Sequence, residues 1–551
     1  MWPDVDNARL EELLKAIPAD ELGTLLGRRR FQALHTLVSP SSRNRLPDAL
    51  IPRYAVALEG RRLLEEPAVL SALLLRVGGR ELRTMAKQHL ERPFARDADN
   101  AMALASKPLR GGSGLSREIL SVLGLSEGLL QDVERRPAVE LIEPYEPLPA
   151  LLDYQEEVRA RCLELLESGI AELLVQMPTG SGKTRLAMEL LVDLVDKKSV
   201  FSTGNSVVWL AHTEELCEQA IDSFSSVWAM RGTERARIAR LWGTYSPPQA
   251  DLSGALVVAG TSRVHAMRSG DARTFEALSS RSAVIVIDEA HRALAPTIRS
   301  QISALRSGRN GLLIGLSATP ARNTESSEEN VALADLFGRN LVTPSLGDDP
   351  IGELRRRGIL AALDRVELHY AGSETALDKL DTPVSGDDED LPESVLASLA
   401  GNTARNIAIM RELEHRVKQG EPAIVFCCSV AHSELLSAAL RLRGLRTAAV
   451  DCRMRRSTRR LVIQQFSRGE LDVLLNFGVL STGFDAPNVR TVVIARPTKS
   501  MILYSQMVGR GLRGPKMGGT IACTLVDVRD HLGRFGDLSD LYLRFGPYWT
   551  K

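Results

Sequence analysis

Two short runs carry the residue types that phosphate chemistry requires. Met177–Thr184 reads MPTGSGKT, a Gly-rich turn set between the apolar run LLVQ and the helical pattern RLAMELLVDLV. Such a turn aims backbone N–H groups and a helix N-terminus at an anion. Thr179, Gly180, Ser181 and Gly182 form the cradle, Lys183 is placed to reach the β- and γ-phosphates, and the Thr184 hydroxyl is placed to hold Mg²⁺. The general pattern opens with Gly where this sequence has Met177, but the turn glycines, the lysine and the hydroxyl are kept. The second run is AVIVIDEAH, an apolar strand pattern ending in Asp288–Glu289. One carboxylate there can sit beside the Mg²⁺ and the next beside an attacking water. Asp288 is therefore the metal-associated candidate and Glu289 the general-base candidate. An acidic pair at a strand end is common by itself; downstream of a phosphate loop, it points to binding and hydrolysis of ATP.

The elements that must position these residues are legible as two series of short apolar runs. LLVQM, VVWLA, ALVVAG, AVIVID and GLLIGL form the first, and AIVFCC, TAAVDC, DVLLNF, TVVIA and IACTLVDV the second. Runs of this length between Gly, Thr, Ser or Asp, alternating with helical patterns, suit parallel strands buried on both faces. The expected class is α/β, with two successive open parallel sheets whose ligands sit at strand carboxyl ends. Residues 1–148 differ: LEELLKAI, AVLSALLLRVGG and REILSVLGLSEGLL are spaced as helices, without long strand-like runs. They predict a helical accessory domain, closed by the Pro-rich linker Glu143–Pro149. The first sheet domain is expected over 149–350. The linker and second sheet domain fill 351–551, with Gly372–Asn402 reading as a mobile acidic insertion.

Composition narrows the function classes. Lys plus Arg and Asp plus Glu are both 69, so any positive surface for a nucleic acid must be local. The six cysteines form no C-x-x-C pair, which argues against a zinc module or a disulfide framework. No apolar run approaches membrane-spanning length and the N-terminus is acidic and amphipathic, so a cytoplasmic protein with no membrane partner is expected. None of the nine histidines begins an H-x-K nuclease signature.

Asp288-Glu289-Ala290-His291 spells the DEAH box, and the chain resembles superfamily 2 helicases over about residues 150–530. LSTGFDAPNV, RPTKS and YSQMVGRGLRGP make it most similar to the branch of RadD-like, XPB-like and restriction-type motors, without the zinc module. The resemblance implies that the two sheets are tandem RecA-like domains and that Gln155 (in LLDYQ) reads adenine. It implies that Ser317 and Thr319 (in SAT), with His291, couple the ATP state to domain movement. It also implies that Gln506, Arg510 and Arg513 complete the ATP site from the second domain, the two arginines as fingers, with Asp485 (in STGFD) on the nucleotide. Helical i, i+4 and i, i+3 spacing places Gln506, Arg510 and Arg513 on one face. Carried over in the same way, Thr213, Thr261, Arg263, Ser429 and Thr482 are the candidates for the nucleic-acid backbone. The run RMRRSTRR, Arg453–Arg460, reads either as a further phosphate-facing patch or as a solvated helix face.

The expectation is an ATP-dependent DNA helicase or translocase acting in bacterial defence or DNA repair, with DNA favoured over RNA. The alternative is a nucleic-acid-sensing ATPase that controls a partner without unwinding. The N-terminal domain is expected to dock a protein partner. Arg28–Arg30 and the Gly111–Gly114 turn there read mainly as solvated surface.

Overall fold

The computed structural model describes residues 4–40, 46–130, 136–142, 149–233, 235–308, 311–321, 327–371, 391–480, 488–498, 500–530 and 542–549. Its frame is two sheets. The first contains β1 (Val139–Ile142), β2 (Glu172–Gln176), β3 (Ser206–Ala211), β4 (Ala236–Leu241), β5 (Ala255–Gly260), β6 (Ser282–Asp288), β7 (Leu312–Ser317) and β8 (Leu341–Val342). Their order is β1-β4-β5-β3-β6-β7-β2-β8, and every pairing except β1–β4 is parallel. The second contains β9 (Ala362–Leu368), β10 (Ala423–Phe426), β11 (Thr447–Asp451), β12 (Val473–Phe477), β13 (Thr491–Ile494) and β14 (Ala522–Val528), ordered β11-β12-β10-β13-β14-β9 and all parallel. The central strands β3, β5 and β10 are buried at every position, as helices on both faces require. We call the two units lobe one and lobe two.

Parallel pairing brings the strand carboxyl ends of lobe one to one edge. β2, β7 and β6 are neighbours there, with Gln176 beside Ser317 and Asp288 beside Leu316 in register. The phosphate-loop run, the Ser317–Thr319 run and the acidic pair thus emerge side by side.

Residues 4–130 are helical, from Asp4–Lys15 to Gly114–Leu123, around Leu10, Leu14, Phe31, Leu70 and Ile119. This core is continuous with that of lobe two: helices Arg28–Val38 and Ile51–Glu59 lie against helix Val430–Leu442. Arg30 and Arg62 both pair with Glu434, Arg62 also reaches Asp451 at 3.6 Å, and Arg443 donates to Leu37 O at 2.7 Å. Arg28 is tied to Asp20 and Asp48 and Arg30 to Glu59, so two members of the Arg28–Arg30 cluster serve ion pairs.

Four expectations are corrected. The N-terminal region does contribute a strand, β1, which pairs antiparallel with β4 on the edge of lobe one. β4 itself (ARIARL) was not expected because its arginines break the apolar run; Arg240 is fully buried and donates to Glu140 at 2.8 Å and to Pro137 O. β9 (ALDRVEL) is an edge strand with mostly exposed or half-buried residues, which hides it from an apolar-run criterion. Within Gly372–Asn402, Glu393–Gly401 is a helix whose Val395, Leu396 and Leu399 pack with Cys428, while 372–390 lie outside the described residues. All six cysteines are free, and five are buried. Among the described residues no helix is long and apolar enough to cross a membrane.

Candidate functional site

The phosphate loop leaves β2 through two glycines with positive φ, Gly180 at 86° and Gly182 at 83°, a region that L side chains avoid. Gly182 is the N-cap of helix Lys183–Lys197, and a Cβ there would collide with Gln155 Nε2. Gln155 Nε2 donates to Ser181 O at 3.0 Å, and Gln155 Oε1 accepts from Leu152 N at 2.9 Å. Tyr154, absent from the sequence-based set, donates its phenol to the same carbonyl at 2.6 Å. Ser181 is buried and its hydroxyl donates to Pro178 O, so that side chain points into the protein rather than the cleft. Met177 is buried, and its N–H donates to Ser317 O at 3.1 Å, locking the loop base to β7.

Asp288 ends β6, and Glu289 follows in the left-handed region at φ 56°, ψ 54°. A non-glycine residue there is uncommon and is held by its surroundings. Glu289 N donates to Asp288 Oδ1 at 3.0 Å. His291 Nδ1 lies 3.3 Å from Glu289 Oε2 and 3.4 Å from Ser317 Oγ, so one imidazole links the acidic pair to the next strand end. Ser317 Oγ donates to Thr319 O at 2.6 Å and accepts from Thr319 N at 3.1 Å. Burial lowers the imidazoles of His291 to about 4 and His212 to about 3, so both are neutral at physiological pH. Burial also pushes the Asp288 carboxyl up, against the pull of Lys183 and with the added push of Glu289. For Glu289, burial pushes the carboxyl up, but the combined pull of the neighbouring positive groups, Lys183 the strongest, leaves it below the usual carboxylate range.

Lobe two supplies the facing wall. Gln506 lies on helix Met501–Val508, Arg510 in the 3-10 turn Gly509–Gly511, and Arg513 in an antiparallel bridge with Leu360. The expected shared helix face is therefore corrected: the helix stops before Arg510. Arg510 and Arg513 line the cleft together with Thr179, Gly180, Gly182, Lys183, Thr184, Asp288 and Glu289, in a cavity of about 1050 Å³. Gln506 and Gln155 are buried beside it and do not line it. Contact between the lobes is direct. A Cβ on Gly509 would lie 2.8 Å from Thr179 Cβ, and one on Gly180 would lie 3.6 Å from Leu512 C.

Part of the run Arg453–Arg460 serves an inter-lobe contact, while Arg453 and Arg455 stay exposed. Arg455, Arg459 and Arg460 line this same cleft, opposite Glu214, Glu215 and Glu218 of helix Glu214–Arg231. Arg459 pairs with Glu215 across the lobes at 2.5 Å, and Arg455 reaches Glu65 of the N-terminal helices at 3.8 Å. The basic character of the run was legible in the sequence; its acidic partner wall was not, because it comes from the other lobe.

The structure does not bring the backbone-contact candidates into the cleft. Thr213 and Ser429 cap helices, accepting from Leu216 N at 3.3 Å and His432 N at 3.1 Å. Thr261 begins helix Thr261–Gly270, and Arg263 donates to Ser246 Oγ at 3.3 Å. Thr482 and Asp485, with the rest of Ser481–Asp485, lie outside the described residues. For Mg²⁺, Thr184 and Asp288 offer hard oxygen donors in one cleft. Among the described residues no group of three or more His, Cys, Asp or Glu could hold a metal.

Two family models match this sequence: the type III restriction enzyme res subunit over residues 149–322, and the helicase conserved C-terminal domain over 405–514. Together they account for just over half of the chain. A protein of Saccharomyces cerevisiae described as an ATP-dependent helicase, IRC3, is 26% identical over 384 residues, 68% of this chain and 51% of that protein. The type I restriction enzyme EcoKI endonuclease subunit of Escherichia coli is 24% identical over 397 residues, 65% of this chain and 33% of that one. The chain thus spans about half of the length of the first of these relatives and a third of the second. Among solved structures, S. cerevisiae Dbp5 bound to RNA and ADP BeF3 is 14% identical with a TM-score of 0.47, covering 71% of this chain and 87% of that one. A fragment from Vibrio vulnificus described as an HsdR subunit of a type I restriction enzyme is 21% identical with a TM-score of 0.48, covering 71% and 65%.

Proposed function

This chain belongs to the superfamily 2 helicases, and on that premise we propose that it hydrolyses ATP between its two lobes to drive movement along DNA. The observation that carries the reading is the meeting of the two walls. The phosphate loop at Thr179–Gly180 touches Gly509 and Leu512–Arg513 of lobe two, in the same cleft as Lys183, Asp288 and Glu289. Lys183 and the loop amides hold the β- and γ-phosphates, and Glu289, kept ionised, takes the proton of the attacking water. When bound, Mg²⁺ at Thr184 and Asp288 supplies charge neutralisation to the phosphates. Arg510 and Arg513 meet the charge that develops on the transferred group, from the wall that faces the loop. ATP favours the closed arrangement because it contacts both walls, and hydrolysis removes that preference. Gln155, bonded to the loop at Ser181 O, is the adenine-side group.

Helix N-termini at Thr213 and Ser429, together with Thr261 and Arg263, supply donors for a nucleic-acid backbone, and such contacts position a strand without reading its sequence. The match to restriction-type motors favours DNA over RNA and a bacterial defence or repair setting. A second reading, an ATPase that senses nucleic acid and controls a partner without unwinding, is favoured by one observation. Residues 4–130 are fused to the core of lobe two, while β1 joins the sheet of lobe one, so the N-terminal region spans the moving parts. Its remaining helical surface is then available to a partner protein. ATPase rates with single-stranded DNA, duplex DNA and RNA, together with strand displacement, test both readings. DNA stimulation with displacement supports a helicase, and stimulation without it a translocase or sensor. Absence of stimulation by any nucleic acid refutes the motor.

A further inference from the structure

The last described segment, Tyr542–Trp549, follows the strands of lobe two in sequence but is seated on lobe one. Trp549 is buried in the lobe-one core with Leu333, Ala334 and Phe337, and its indole N–H donates to Pro320 O at 3.1 Å. Pro320 directly follows the Ser317–Thr319 run. Tyr542, also buried, makes a reciprocal pair with Gln176: Gln176 Nε2 donates to Tyr542 O at 2.8 Å, and Tyr542 Oη donates to Gln176 O at 3.2 Å. The same Gln176 amide reaches Ala318 O at 3.4 Å.

Gln176 follows the apolar Leu173–Val175 at the carboxyl end of β2, buried where water cannot replace a lost partner. It immediately precedes Met177 of the phosphate loop and lies beside Ser317 in the sheet. One side-chain amide therefore joins the base of the loop, the turn after β7 and the segment Tyr542–Trp549. We propose that Tyr542 and Trp549 are positioning residues for ATP hydrolysis, holding the phosphate-loop base and the Ser317–Pro320 turn in one register. Neither residue lines the nucleotide cleft, so they act through Gln176 and Pro320. The inference rests on the motor reading above and extends it to the chain end.

The test uses the full chain with Tyr542→Phe, which keeps the ring and removes one hydrogen bond, and Trp549→Phe, which removes the bond to Pro320. Three quantities are measured: affinity for a fluorescent ATP analogue, ATPase rate with and without saturating DNA, and hydrogen–deuterium exchange across 312–321 without nucleotide. Each variant is expected to bind the analogue within about twofold of wild type, to lose roughly two- to tenfold in DNA-stimulated kcat, and to exchange faster at Thr319. Tyr542→Ala should lose more than Tyr542→Phe on stimulated kcat at equal affinity. Unchanged rates and exchange overturn the proposal. So does a parallel fall of basal rate, stimulated rate and affinity tracking a lower melting temperature, since that is loss of fold. If wild type shows no stimulation, the motor reading fails by itself, and the exchange of 312–321 still decides whether the chain end positions the turn.

Discussion

Gly509→Ala is the sharpest test of whether the two walls must meet as the structure shows. Gly509 has φ −55° and ψ −20°, so alanine fits its backbone without strain, and any effect must come from the added methyl. That methyl would lie 2.8 Å from Thr179 Cβ and closer still to Thr179 Cγ2. Carbon–carbon contacts settle near 3.5–4.0 Å, so the Gly509–Arg513 turn and the phosphate loop must separate by about 1 Å. A misplacement of about 1 Å at a reacting centre can cost on the order of 100-fold in rate. The loop amides and Lys183 stay on lobe one, so ATP binding should hold within about threefold while kcat falls roughly 10- to 100-fold. Steady-state ATPase assays with saturating DNA, paired with titration of a fluorescent ATP analogue, separate the two. Thr179→Ser deletes the Cγ2 that lies nearest, so the double variant should recover part of the lost rate. Wild-type turnover in Gly509→Ala would show that this contact is not the catalytic arrangement. An equal loss in the double variant would show that the methyl acts elsewhere.

Further tests address the individual groups. Lys183→Ala should abolish measurable hydrolysis, whereas Glu289→Gln should keep nucleotide affinity and stall turnover; wild-type hydrolysis by Glu289→Gln would remove Glu289 as the base. Arg513→Ala should resemble Glu289→Gln, lowering kcat with little change in affinity, and a pure KM effect would assign it to binding instead. A double-mutant cycle on Arg459→Ala and Glu215→Ala should return a coupling of roughly 0.5–3 kcal/mol in thermal or denaturant unfolding, because the side chains are only 10% and 17% exposed; additivity would mean that the inter-lobe pair is idle. Deleting residues 1–130 uncovers the lobe-two helix Val430–Leu442 and leaves Glu434 without Arg30 and Arg62, so the transition of lobe two should move down by several degrees in differential scanning calorimetry. An unchanged melt would show that the shared core contributes nothing.

What the sequence determined by itself is local chemistry carried by contiguous residues. The MPTGSGKT turn and the DEAH strand end need only a strand and the turn beside it, and glycines at 180 and 182 meet a backbone demand that no other residue meets well. The buried parallel strands were legible for the same reason, since a run apolar on both faces has no other economical use. Strands that break this rule escaped: β4 buries an arginine against Glu140, and β9 and β1 lie on edges where one face stays wet. Tertiary structure alone decided which distant residues share the cleft. It ended the helix before Arg510, turned Arg455, Arg459 and Arg460 toward an acidic wall on the other lobe, and joined the N-terminal helices to lobe two. It also brought Tyr542 to the base of the phosphate loop and Trp549 to the turn after β7. Apart from the helix end at Gly509, these depend on contacts made across hundreds of residues, where spacing along the chain carries no record of distance in space.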